Sequence, residues 1–282
     1  MRTDGGGGAG RQFVREPRVA GTFYPAGADD LAAALDRCLP AGRPRARVFG
    51  AMLPHAGYVY SGRCAGEGYA RIEVPGTALV LAPNHTGHGA RLSLWPAPGA
   101  WRIPGDEVPV EPELCRLLLE RCPGLEADTR AHLGEHAAEV HLPFLRRLRP
   151  EVAVACLVVG THDPSRLQAL GEGIAAALRD YGQEVLVVAS SDLNHYEDQR
   201  STLEKDGWAI EKVLALDPLG LLETCEAREV SMCGVAPTAA LLAAARAARG
   251  SRASAELVDH RTSGDVYGDY DRVVGYASIL VH

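Results

Sequence analysis

Residues 77–85 have the sequence TALVLAPNH, in which a short apolar run leads directly into a proline, an asparagine and His85. Residues 47–53 repeat this arrangement, because the apolar run there is followed by a proline and His55. Short apolar runs bounded by Pro, Gly or Asn are typical of buried strands. The carboxyl ends of parallel strands line one edge of an open sheet, where ligands bind, so we expect both histidines in one crevice.

The hydrophobic pattern of the chain alternates between two periods, which predicts an α/β fold. Strand-like runs occupy residues 47–53, 77–82, 152–160, 184–189 and 273–281. Helical spacing, often with an Asp, Ser, Thr or Pro start signal, covers residues 29–38, 111–122, 141–148, 165–181, 202–215, 218–225 and 237–248. This alternation predicts a single domain in which helices flank a central, mostly parallel or mixed sheet.

Composition restricts the partners and the location of the protein. A chain of 282 residues with 46% hydrophobic content can build one large α/β core. The formal net charge of -7 and the absence of any Lys/Arg run argue against a nucleic-acid partner. No apolar run is long enough to span a bilayer, and the seven cysteines form no CxxC pair. We therefore expect a cytoplasmic protein with reduced thiols and no membrane association.

The amino-terminal tract is rich in glycine and lacks the apolar segment of a signal peptide. No strand precedes its four consecutive glycines and no GK[ST] sequence follows them, so they do not indicate a phosphate-binding loop. We predict a disordered tail over residues 1–13 and one α/β domain over residues 14–282.

His55 and His85 are the first candidate functional residues. Each is followed within two residues by a glycine, Gly57 or Gly87, which allows a tight turn around a ligand. A single histidine is more often structural. Repetition of the arrangement at several strand ends favours a metal or catalytic site instead.

A third predicted strand end carries both an acid and an imidazole, Asp192 and His195. Asp192 could be a metal ligand, could orient His195 as an acid/base partner, or could simply cap the following turn. His162 follows a fourth strand end. The Asp-Pro-Ser sequence after it is typical of a helix start, so we place His162 at the rim of the site.

Residues 135–143, EHAAEVHLP, form the densest ionisable stretch of the chain. Neither HExxH nor HxxEH occurs there, and the proline indicates that a helix is only beginning, so a zinc-protease motif is excluded. The stretch either begins a solvated helix or supplies substrate contacts and proton transfer from a loop, through Glu135, His136, Glu139 and His141.

Cys233 lies shortly before the predicted helix at residues 237–248. A helix N-terminus favours a thiolate, which suits a metal ligand or a reactive nucleophile. Most cysteines in apolar surroundings are inert, however, and this reasoning alone does not select Cys233 over Cys64.

Further motifs accompany these residues along the chain. They are REPRVAGTFYP at 15–25, PHAGYVYSG at 54–62, PNHTG at 83–87, EHAAEVHLP at 135–143, SDLNH at 191–195, MCG at 232–234 and VVGY at 273–276. Their combination and order resemble the Memo family, in particular the prokaryotic branch called AmmeMemoRadiSam system protein B. The resemblance spans about residues 14–282. A serine is usual in the family where this chain has Ala137, so any hydrogen bond of that hydroxyl is absent here.

The resemblance implies a fold similar to the class III extradiol ring-cleavage dioxygenases, which hold non-haem Fe(II) at a sheet edge. It also implies His55, His85 and Cys233 as the metal ligands, with Asp192 and His195 in the same pocket. The cysteine takes the place of the carboxylate that completes the dioxygenase facial triad. The implied relationship to the dioxygenases leads us to expect Fe(II). Because a thiolate also suits copper and zinc, Cu and Zn are alternatives.

Three functional classes follow from these observations. The preferred hypothesis is a dioxygenase-like, metal-dependent oxidoreductase for a small-molecule substrate, in which His195 or His141 moves protons and Asp192 orients His195. The second is a non-catalytic metal- or peptide-binding adaptor that works with the AMMECR1-domain and radical S-adenosylmethionine proteins implied by the branch name. The third is a zinc hydrolase. Substrate and oligomeric state stay open at this point.

Overall fold

The computed structural model describes residues 12–282. The predicted tail at residues 1–13 therefore lies outside the described residues, except for Gln12 and Phe13. Phe13 is the first residue of a strand, so the folded domain begins at least one residue before the predicted boundary.

The strands, numbered in chain order, are β1 (Phe13–Arg15), β2 (Gly50–Leu53), β3 (Thr77–Pro83), β4 (Leu92–Leu94), β5 (Gly99–Ile103), β6 (Asp106–Pro109), β7 (Glu126–Ala127), β8 (Ala153–Val159), β9 (Val185–Ser190), β10 (His195–Glu197), β11 (Ala255–Thr262) and β12 (Val273–Val281). The helices are α1 (Ala28–Cys38), α2 (Tyr58–Tyr69), α3 (Pro112–Arg121), α4 (Arg130–Leu133), α5 (Leu142–Leu148), α6 (Pro164–Tyr181), α7 (Gln199–Leu214), α8 (Pro218–Ala227), α9 (Val235–Arg249) and α10 (Gly264–Tyr267). Every predicted strand and helix is present, with bounds that differ by at most three residues. No helix within residues 12–282 is long and apolar enough to cross a membrane.

The central sheet is mixed, with a parallel centre. Strands β2, β9, β3 and β8 are neighbours and run parallel, whereas β12 pairs antiparallel with β2, and β4 pairs antiparallel with β8. Leu53 lies opposite Ser190, so β2 and β9 end level with each other. The residues that follow these strands consequently emerge side by side, as predicted for an α/β fold with its site at one edge.

Helices cover both faces of this sheet. Gly50 packs against α9, because a Cβ atom on Gly50 would lie 2.6 Å from the side chain of Leu241. Leu53 packs against α2, because a Cβ atom on Gly68 of that helix would collide with the Leu53 side chain. Residues 50 and 53 point to opposite faces, because side chains alternate along a strand. Helices α9 and α2 therefore pack on opposite sides of β2, which makes the domain a three-layer α/β structure.

Helix α2 was not predicted from the sequence. It contains three glycines, which are unfavourable in helix interiors. A Cβ atom at Gly66 would lie 2.0 Å from the carbonyl oxygen of Cys38, so α2 approaches the end of α1 too closely for any other residue there. Tertiary packing, not local propensity, selects this helix. The separate three-stranded sheet β1–β5–β6 was also not predicted.

A buried ion pair ties the amino-terminal segment to the EHAAEVHLP stretch. Arg15 Nη1 lies 2.5 Å from Glu139 Oε2, and both side chains are almost fully buried. Glu139 also accepts hydrogen bonds from the Tyr24 hydroxyl at 2.6 Å and from the backbone N–H groups of Arg18 and Val19. Glu139 therefore faces neither solvent nor a substrate, in contrast to both interpretations of its stretch, and instead anchors residues 15–24.

Replacing Glu139 with Gln should destabilise the protein strongly. The substitution leaves the buried Arg15 guanidinium without its counter-charge, and breaking a buried pair in this way typically costs about 3–5 kcal/mol. The free energy of unfolding from urea titration measures the effect. Glu113→Gln, which breaks an exposed pair with Arg116, is the matched control and should change stability far less, because solvent screens an exposed pair. Equal effects of the two variants would contradict the anchoring role.

Candidate metal centre

The predicted site residues meet at the carboxyl edge of the parallel strands. His55 follows β2, His85 follows β3, and Asp192 follows β9, which lies between those two strands. Cys233 precedes α9 and joins them. His162, after β8, is exposed and does not line the resulting cavity.

His55, His85 and Cys233 form a compact group of possible metal ligands. One ligand atom from each lies within 4.8 Å of the other two. His55 Nε2 is 3.4 Å from Cys233 Sγ. Atoms bonded to one metal at about 2.0–2.3 Å are roughly 3 to 3.6 Å apart, so this separation suits a shared ion. The donor set of two imidazoles and one thiol fits Fe, Cu or Zn.

Two neighbouring groups overlap with this one. Asp192, His195 and Cys233 also place ligand atoms within 4.8 Å of one another, as do His85, Glu135 and His136. The rings of His85 and His136 stack with centroids 4.9 Å apart. The structure thus brings together five of the six predicted site residues, with Glu135 and His136 beside them; the sixth, His141, lies elsewhere.

The hydroxyl of Ser190 determines which nitrogen of His55 faces the cavity. Ser190 Oγ donates to the carbonyl oxygen of Ala137 at 2.8 Å, and a hydroxyl has only one hydrogen to give. His55 Nδ1, 2.8 Å from the same oxygen, must therefore be the donor of its bond. His55 Nε2 is left with a lone pair directed toward Cys233, as a metal ligand requires.

Glu135 has the same effect on His85. Glu135 Oε1 lies 2.9 Å from His85 Nδ1, so the imidazole donates from Nδ1 and exposes Nε2. Burial opposes ionisation of Glu135, but the hydrogen bond and charge of His85, together with the backbone N–H groups of Ala137 and His85, outweigh it and lower the pKa of Glu135 to about 2. Burial likewise lowers the pKa of His85, but Glu135 prevails and the net shift is upward. A carboxylate behind a ligating histidine is a common way to fix the ring and raise its basicity.

His195 is oriented by Ser231 and not by Asp192. His195 Nδ1 lies 2.9 Å from the carbonyl oxygen of Ser231, which can only accept, so Nδ1 donates and Nε2 is the lone-pair nitrogen of the neutral tautomer. The Ser231 hydroxyl also accepts the backbone N–H of His195 at 2.8 Å. This corrects the expectation that Asp192 orients His195: the carbonyl of Ser231 occupies the position that the carboxylate was expected to take.

Asp192 holds the turn that carries His55. Its Oδ1 accepts the backbone N–H groups of His55, at 2.8 Å, and Ala56, at 3.3 Å, which rules out a mere cap on its own turn. Its Oδ2 lies 3.9 Å from His55 Nε2. The backbone N–H of Asp192 donates to Cys233 Sγ at 3.3 Å. Asp192 thus connects two of the three candidate ligands.

His141 lies one layer behind the cavity and does not line it. Its Nε2 is 2.9 Å from Ser190 Oγ, to which it must donate for the reason given above, and its Nδ1 accepts from the Tyr69 hydroxyl at 3.0 Å. Burial lowers the pKa of His141 to about 3. The expected proton transfer from His141 to a bound substrate is not available from this position, because Ser190 and His55 lie in between.

Burial favours a neutral His55 imidazole and a protonated Cys233 thiol in the absence of a cation. Burial and the neighbouring His136 and His85 lower the pKa of His55. Burial and the charge of Asp192 raise the pKa of Cys233. Thiolate ligation therefore depends on a cation close to the sulfur, and ligation would release a proton. Among the seven cysteines Cys233 alone is partly accessible, a difference that sequence reasoning could not detect.

The candidate ligands His55, His85 and Cys233 lie at the floor of a cavity of about 790 Å³, together with His136, Asp192 and His195. Its walls add Thr22, Phe23, Tyr60, Tyr196, Ser231, Ser263, Arg272, Val274 and Tyr276. A cavity of this size accommodates a small organic molecule. Sequence reasoning missed Ser190 and Ser231, since a serine carries no chemical signature until its partners are known.

The fold and the site together define an α/β protein with a metal-competent His/His/Cys centre at a sheet edge. The family model described as Memo-like protein matches residues 15–280. The chain belongs to the Memo family.

Similar proteins cover nearly the whole chain. A MEMO1 family protein of Pyrobaculum arsenaticum is 37% identical over an alignment of 281 residues, and the match covers 95% of this chain and 99% of that protein. One from Methanopyrus kandleri is 38% identical over 282 residues, covering 94% and 98%. An uncharacterized protein of Escherichia coli K12 has a similar fold, with a TM-score of 0.54, 14% identity, and coverage of 84% of this chain and 100% of that one.

Ser190→Ala should weaken metal binding by about 10- to 100-fold, because His55 loses the acceptor that fixes its tautomer. Competition with a chelator gives the affinity, and ¹⁵N imidazole spectra of the metal-free protein report the tautomer directly. We expect His55 to be protonated at Nδ1 in the wild type and to lose this preference in the variant. Ser254→Ala, at an exposed position, is the control. An unchanged His55 tautomer in Ser190→Ala would refute the assignment.

Proposed function

We propose that this protein is a non-haem, metal-dependent oxidoreductase that acts on a small molecule, with Fe(II) as the metal and Cu or Zn as alternatives. The observation that carries the proposal is the convergence of three protein ligands, His55, His85 and Cys233, on the floor of a large cavity. Three ligands leave coordination positions free for a substrate or dioxygen. When bound, the metal would supply Lewis-acid and redox chemistry. The dioxygenase-like fold that the family resemblance implies supports the same class.

The chain offers one well-placed base for such a reaction. His195 lines the cavity, and because Nδ1 is committed to Ser231, Nε2 is the nitrogen left to exchange a proton. A neutral imidazole in this orientation can accept a proton from a substrate hydroxyl and return it later. Asp192 lies close to His195, within 4.8 Å between ligand atoms, and its negative charge would stabilise the imidazolium that forms. Ser231 keeps the ring in position throughout.

The surrounding residues prepare the centre for this task. His55 and His85 are held with Nε2 toward the cavity by Ser190 and Glu135, so little reorganisation accompanies ligation. Phe23 packs edge-on against His136, with ring centroids 4.8 Å apart, and forms an apolar wall. Such a wall limits water around the reacting groups.

A binding or adaptor role is the second candidate. Tyr60 and Tyr196 line the cavity and are both exposed at its mouth, which would suit a peptide side chain as well as a small molecule. In that case the AMMECR1-domain and radical S-adenosylmethionine proteins would be the partners, and any radical chemistry would be theirs. Turnover distinguishes the two candidates.

Metal content should depend on each of the three ligands. Mass spectrometry of anaerobically purified protein should find near-stoichiometric iron or copper, and His55→Ala, His85→Ala and Cys233→Ala should each lose most of it. His162→Ala removes a histidine from a neighbouring strand end outside the cavity and should retain the metal. Equal metal content in all four variants would show that the ion binds elsewhere.

His195→Gln should separate catalysis from metal binding. Oxygen uptake by iron-loaded protein, measured across a panel of catechols and other small phenols, should fall by about 100-fold or more when the base is removed, while iron content is retained. Loss of iron together with activity would instead make His195 a metal ligand. No substrate-dependent uptake by wild-type protein with a filled site would favour the binding role.

A further inference from the structure

Tyr196 has an unusual backbone conformation at the mouth of the cavity. His195 and Glu197 lie opposite Val274 and Val273, which are consecutive, so Tyr196 is an extra residue without a partner in the β10–β12 pair. Its φ angle is +62°, in the left-handed region that is uncommon for an aromatic residue. Bulges of this kind redirect a side chain and are frequent beside active sites.

The bulge presents the Tyr196 ring to the cavity and to solvent. Tyr196 lines the cavity and is 65% exposed to solvent. The side chain of its neighbour His195 is turned toward Ser231. A straight strand would pair residue 196 with β12. The strained backbone of Tyr196 therefore does not serve the pairing of β10 with β12. This points to a role for the position of the Tyr196 ring.

Arg272 lies over this ring. Its guanidinium carbon is 5.7 Å from the ring centroid of Tyr196. Among residues 12–282, Arg272 is the only lysine or arginine that lines the cavity. No carboxylate of these residues lies within 4.0 Å of its guanidinium, so the guanidinium has no ionic partner among them. Stacking on an aromatic ring orients a guanidinium and leaves its donor edge free.

More aromatic surface surrounds this pair. Tyr60 and the buried Tyr276 line the same cavity, and Tyr60 packs against Tyr267 with ring centroids 5.2 Å apart. The mouth thus combines flat apolar faces with one cation. A planar ring would stack on the former, and an oxyanion would bind the latter.

We infer that Arg272 and Tyr196 form a substrate subsite that binds an aromatic carboxylate, with the carboxylate at the guanidinium and the ring among the tyrosines. This rests on the proposed function only in assigning the bound molecule as the substrate. One guanidinium matches the single charge of a carboxylate. A doubly charged group is disfavoured, since no second lysine or arginine of the described chain lines the cavity and Asp192 lies at its floor.

Binding of two nearly isosteric probes tests the subsite. Ligand-observed ¹⁹F NMR gives dissociation constants for 4-fluorobenzoate and its neutral analogue 4-fluorobenzamide, on the protein as purified and after removal of metal by a chelator. We expect benzoate to bind about tenfold more tightly than benzamide in both preparations. Arg272→Gln should abolish the preference, whereas Arg272→Lys should keep part of it, because lysine preserves the charge but not the fork.

Two further variants complete the test. Tyr196→Ala should weaken both probes together, since it removes stacking surface and not charge. Arg252→Gln, an exposed arginine outside the cavity, should leave both constants unchanged. The subsite is refuted if wild-type protein does not distinguish the probes, if neither binds saturably, or if the preference survives in Arg272→Gln. Because the readout is binding to metal-free protein, a preference for benzoate without any oxygen uptake would overturn the oxidoreductase proposal alone.

Discussion

Two buried carboxylates hold the candidate metal ligands in place. Asp192 accepts the backbone N–H of His55, and Glu135 accepts the backbone N–H of His85, each at 2.7–2.8 Å and each from a loop distant in sequence. A buried carboxylate is stable only while its hydrogen bonds are made, so each histidine turn has one low-energy position relative to the other loops. The spacing of the ligands follows from these cross-loop bonds.

The ring nitrogens of the histidines are also held by hydrogen bonds from neighbouring loops. Ser190, Glu135 and Ser231 each engage one Nδ1, so the three imidazoles of His55, His85 and His195 all present Nε2 to the cavity. Two of these rings belong to the candidate ligand group and the third to the proposed base. In each case a side chain or a carbonyl group accepts a hydrogen bond from Nδ1. The same arrangement thereby supports both metal ligation and proton transfer.

The short segment between α4 and α5 connects the centre to the rest of the fold. Glu135 at its start supports His85, while Glu139, four residues later, binds Arg15 and Tyr24. The amino-terminal segment held in this way carries Phe23, which forms a wall of the cavity. Secondary structure alone would not create this wall, because residues 16–24 lie between β1 and α1 and depend on the buried ion pair for their position.

The sequence by itself determined the α/β class and the edge of the sheet at which the site lies, because hydrophobic periodicity and histidine-bearing turns after apolar runs are local signals. It identified His55, His85, Asp192 and His195 by this logic, and Cys233 only through the resemblance to a family. Only the tertiary structure decided that Glu139 is an anchor, that His141 lies behind Ser190, and that Ser231 orients His195. These roles depend on which polar atoms meet across loops far apart in the chain, and no spacing along the sequence encodes such meetings. Helix α2 has the same explanation, since its glycines are favourable only where α1 and the central sheet approach it closely.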